Sequence, residues 1–128
     1  MDPRVEMHAE KLVDYCAEVE EGEKVLIGAP PCASELVEAL NAEIASRDAF
    51  PMTLWFYDDR IFRAIKKNFD ELPEPSHLEA AVENSDVFIA LRSFDNRAED
   101  SDIPSEKDQE FTLKIKEFFE KAYECRSV

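Results

Sequence analysis

Glu23-Lys24-Val25-Leu26-Ile27-Gly28-Ala29-Pro30-Pro31-Cys32-Ala33-Ser34-Glu35-Leu36-Val37-Glu38-Ala39-Leu40 changes its hydrophobic period halfway along. Val25-Leu26-Ile27 is too short for a helix and is apolar at consecutive positions, which suits a strand covered on both faces. Beyond the turn, Ala33, Leu36, Val37, Leu40 and Ile44 recur at helical spacing. A buried strand feeding a helix is the first half of a βαβ unit, whose crossover returns right-handed to the same sheet. Ligands of such sheets sit outside the carboxyl ends of the strands, here near Ala29 to Cys32.

On the amino-terminal side, Asp2 and Pro3 are placed as N-cap and first residue of a helix reaching about Val19. Val5, Ala9, Leu12, Val13 and Cys16 form its apolar stripe, and Gly22 is expected to stop it. On the carboxyl-terminal side, Arg47 to Pro51 reads as a connector and Met52 to Tyr57 as a second strand rich in aromatic residues. Asp58 or Asp59 caps a third helix that carries Ile61, Phe62, Ile65 and Phe69. Ser76-His77-Leu78-Glu79 has the form of a capping box opening a short helix to Glu83. Asp86 to Leu91 is the third strand. Residues 92–105 read as an exposed acidic loop, and 105–124 as a last helix with Phe111, Ile115, Phe118, Phe119 and Ala122 in register.

These elements predict one α/β domain over residues 1–128: a three-layer α/β/α sandwich with a small, mainly parallel three-stranded sheet, its first strand central. The sheet edges, and a last helix with no strand after it, are expected to take a protein partner or a second copy of the chain.

The chain has 128 residues and a formal charge of −15, with 30 acidic against 15 basic residues. That balance repels nucleic acid and anionic membranes. Its acids are spread along the chain, as on solvated helix faces. Acidic surfaces of this density occur in salt-adapted cytoplasms, although the lysines here about equal the arginines. There is no long apolar run and no secretory signal pattern, so a cytoplasmic location is expected. Cys16, Cys32 and Cys125 are scattered without CxxC spacing, which argues for free thiols.

No catalytic constellation stands out. His8 and His77 each lack a second ligand at metal-binding spacing, so no metal residue is assigned. The turn Gly28 to Ala33 has neither a GxGxxG nor a GxxxxGK[ST] pattern, and Pro30 and Pro31 remove two N–H donors that a phosphate needs. Ser34 has no nucleophile-elbow glycines. Cys32 stands near a helix N-terminus, where the dipole favours a thiolate. No histidine base is near in sequence, and a partly buried structural thiol is the simpler reading. Asp58 lies at the end of the second strand, where a helix cap accounts for it as well as a site does. Arg92 follows the third strand directly and is placed to meet Asp58 or a ligand, with a structural ion pair the default. Cys32, Asp58 and Arg92 are therefore the candidate ligand-binding residues for a small molecule at the strand ends. Trp55, Phe56 and Tyr57 read as core; if exposed, they mark a docking face.

Several blocks resemble a known family. Met1 to Glu6, Ala9 to Tyr15 and Val19 to Ile27 look like the start of the aminopeptidase T family of metallopeptidases, the thermophilic aminopeptidases. Glu35 to Leu40 resembles that family's second helix, and Ser85 to Arg92 its third strand. Asn96-Arg97 and Asp102 to Lys107 resemble the loop and helix start that follow. The likeness spans nearly the whole chain but only the amino-terminal third of the family. It implies the amino-terminal α/β domain of an exopeptidase that removes residues from peptide N-termini. In the family, two divalent metal ions are held by side chains of a carboxyl-terminal domain that this chain does not match. No catalytic or metal residue carries over, no cofactor is expected in this chain, and a stand-alone homologue or a truncated member is implied.

The charge makes one prediction. Self-repulsion at −15 is screened by salt. The melting temperature should rise from low to molar KCl, and a flat or falling trend in a thermal scan would contradict this.

Overall fold

A computed structural model describes residues 2–55, 59–91, 105–122 and 126–127. The order is α1 (Pro3–Lys11), a π turn (Leu12–Cys16), β1 (Lys24–Gly28), a 3-10 turn (Pro31–Ala33), α2 (Ser34–Ser46) and β2 (Phe50–Leu54). Then come α3 (Asp59–Asn68), α4 (Ser76–Glu83), β3 (Val87–Ala90), α5 (Ser105–Ala122) and β4 (Arg126–Ser127).

β1 lies between β2 and β3, and all pairings are parallel. The strand alternation sorts the core into two layers. Val25, Ile27, Val87 and Ile89 point to one face, against Ala9 and Val13 of the first helical segment and Val37, Leu40 and Ile44 of α2. Leu26 and Phe88 point to the other, against Leu78 and Val82 of α4. α5 packs on α4 and α3. The result is a three-layer α/β/α sandwich around a small parallel sheet.

Several elements differ from the sequence expectation for identifiable reasons. The first helix does not run evenly to Val19. After Leu12 the backbone bonds lengthen to i→i+5, with Ala17 N–H donating to Leu12 C=O at 2.8 Å. The inserted residue rotates the stripe, so Ala17 is buried and Cys16 is exposed. Gly22 does not stop this helix. It takes φ +82° in the turn before β1, and its N–H donates to Asp48 C=O at 2.9 Å. Asp48 itself sits at φ 58° after α2, the left-handed exit that a helix C-terminus often uses.

β2 begins two residues before the expected Met52, at Phe50 and Pro51. Phe50 N–H donates to Glu23 C=O at 2.9 Å, and Ala29 N–H to Leu54 C=O at 3.0 Å. In a parallel pair the same strand residue turns both its groups to the neighbour, and the next turns them away. Phe50, Met52 and Leu54 therefore bond to β1, while Pro51 and Thr53 face the open edge. Pro51 costs the ladder no hydrogen bond because its missing donor points outward. Trp55, read as core, is exposed, as are Phe50 and Met52. Phe56, Tyr57, Asp58, most of the acidic loop (92–104) and Cys125 lie outside the described residues.

α4 forms where expected but starts one residue early, at Ser76, with Pro75 as its N-cap and no side chain capping it. Ser76 is already helical, so it cannot close a capping box; Leu78 and Glu79 N–H both donate to Pro75 C=O. At α1 the expectation holds: Asp2 accepts from Arg4 N–H at 2.8 Å. α5 is followed by a strand after all, since Arg126 and Ser127 of β4 pair with Val87 and Phe88.

Side chains tie the layers together. Asn41 Nδ2 donates to Thr53 Oγ1 at 3.2 Å, linking α2 to β2. Asp86 Oδ2 accepts from Lys24 N–H, and Asp86 N–H donates to Lys24 C=O, both at 2.8 Å, so the β1–β3 ladder starts on a reciprocal pair. Arg47 donates to Glu43 Oε2 at 2.7 Å and pairs with Asp14, bridging α2 to the π turn. The Glu43 hydrogen bond, with Asp14, raises Arg47 above the usual guanidinium range despite partial burial. A raised folded-state pKa gives stability that is lost only as pH climbs through it, so on the alkaline side Arg47 keeps its charge for this bridge.

A Cβ at Gly22 would meet nothing within 4 Å, so only its backbone resists substitution. Gly22→Ala should cost about 1–2 kcal/mol in urea unfolding. No loss would mean that the turn readily leaves φ +82°.

Candidate functional site

The crevice at the carboxyl ends of the strands is built by three chain segments. β1 ends in Gly28, Ala29 and Pro30, all buried. β2 closes on it through the Ala29–Leu54 bond, and β3 through Leu91 N–H, which donates to Gly28 C=O at 2.8 Å. Gly28 and Ala29 therefore have strand neighbours on both sides, and the chain leaves the sheet only at Pro30.

The turn that follows is consumed by its own hydrogen bonds. Ala33 N–H donates to Pro30 C=O at 3.0 Å, and Ser34 N–H donates to Pro31 C=O. Pro31 has no N–H. The 3-10 turn thus withdraws amides that an α-helix start would offer to an anion, beyond the two prolines already counted from sequence.

Of the three candidate residues, the structure describes Cys32 alone, within that turn and exposed. Its thiol is not the partly buried structural group expected. Asp58 and Arg92 lie outside the described residues.

Among the described residues, no three His, Cys, Asp or Glu side chains converge to hold an ion. His8 on α1 and His77 on α4 are both exposed. These described residues do not fit a metal centre.

A different concavity escaped the sequence reading. α3 and α5 enclose a groove of about 390 Å³ lined by Phe62, Lys66, Phe111, Thr112, Ile115, Lys116 and Glu120. Phe62 and Phe111 stack at 5.2 Å between ring centroids, tilted by 58°. Lys66 Nζ is 5.5 Å from the Phe111 ring centre and 2.7 Å from Asp108 Oδ1. The sequence signal for the groove was the apolar stripe of the last helix, which was assigned to a partner rather than to α3. No helix among the described residues is long and apolar enough to cross a membrane.

Comparison with protein-family models and with curated proteins returned no match. Among solved structures, the chain is similar to wild-type AmpT from Thermus thermophilus, with a TM-score of 0.75 at 17% identity. The match covers 97% of this chain and 34% of that one. At such identity the likeness speaks for the fold: this chain has the fold of about a third of AmpT.

Exposure of Cys32 makes a prediction. Cys16 and Cys32 should both react with an aromatic disulfide reagent in the native state, and Cys32→Ser should change stability by no more than about 0.5 kcal/mol. Protection of Cys32 until unfolding would contradict its placement.

Proposed function

We propose that this chain is an α/β module of the aminopeptidase T type that does not hydrolyse peptides alone and serves as an interaction or assembly unit. The observation that carries this reading is the match to AmpT over 97% of this chain but only 34% of the neighbour. The sequence blocks resembling the aminopeptidase T family point the same way, because they belong to its amino-terminal domain. That family's metal ions sit in the other domain. A peptide carbonyl is a poor electrophile unless something polarises it and activates water. The module supplies no such group at Ala29 to Cys32, where amides are spent on the 3-10 turn.

As an assembly unit, the module has a specific asymmetry. The outer edge of β2 presents Thr53 N–H beside Pro51, which has no donor. Strand addition there is therefore disfavoured. Phe50 and Met52, 74% and 46% exposed, instead share one apolar face of β2 beside that edge. Docking through side chains on this face fits the module better than extension of the sheet.

The test is an aminopeptidase assay on the purified chain with added zinc, cobalt or manganese, at low and high salt. No turnover above a metal-only blank is expected. Metal-dependent turnover that follows the folded protein through purification would overturn the proposal.

A further inference from the structure

We draw no further inference here: the strongest candidate, the groove between α3 and α5 with Phe62, Phe111 and Ile115 in its lining, is an unpartnered apolar face, and nothing in the structure shows what covers it.

Discussion

Burial of β1 on both faces is the constraint on which the other elements depend. Val25, Leu26 and Ile27 are at most 1% exposed, so neither side chains nor backbone of this strand can turn to water. Every backbone group must find a partner, which forces a strand on each side. Every side chain must find a layer, which forces helices above and below. Fully burying side chains of this size is worth about 1.5–3 kcal/mol each. α2 supplies one layer at once, because it leaves β1 through a turn too short to reach elsewhere. α4 supplies the other, because it directly precedes β3 and lies over Leu26 and Phe88.

Among the described residues, polar contacts gather at the amino ends of the strands. Gly22 bonds to Asp48, Phe50 to Glu23, and Asp86 exchanges two bonds with Lys24. These link the turns before β1, β2 and β3 into one rim. At the carboxyl end the rim is made of Gly28, Ala29 and Pro30, which carry no polar side chain. Such a division leaves the carboxyl end to be shaped by whatever segments follow the strands, which is where sheets of this class receive ligands.

The parts of the fold legible in the sequence were those where one period acts alone. β1 and the buried face of α2 fall where the residues placed them, as does the central position of β1. The errors arise where two demands compete. Cys16 loses its place in the core to Ala17 because a π turn adds a residue that no apolar spacing announces. Ser76 reads as a cap, yet it is already helical and Pro75, at φ −79° and ψ 63°, takes the cap position, so the boundary moves by one residue. Phe50 and Pro51 read as a connector because proline opposes a strand; only knowledge that β2 is an edge, with Pro51 facing outward, removes the objection. Of the candidate site, the strand-end location was legible in the period change at Gly28. The amide-poor 3-10 turn was legible only in part, through its prolines. The α3–α5 groove requires knowing that two helices distant in sequence lie side by side.

Charge placement explains why that groove persists instead of collapsing. α3 carries Arg60, Arg63, Lys66 and Lys67 against the single acid Asp59, so it is strongly basic within an acidic chain. Each of those four cations makes a hydrogen bond, ion pair, ring contact or other electrostatic contact. α5 brings Glu106, Asp108 and Glu110 in its first turns, and Lys66 meets Asp108 across the helix pair. Ionic contact at this end sets the helix separation, and the Phe62–Phe111 contact fixes it from inside. A pair of helices joined by charge at one end and by one aromatic contact in the middle must diverge or fill the remaining space. Here the space is left apolar at its floor, with Lys116 and Glu120 of opposite charge at its rim.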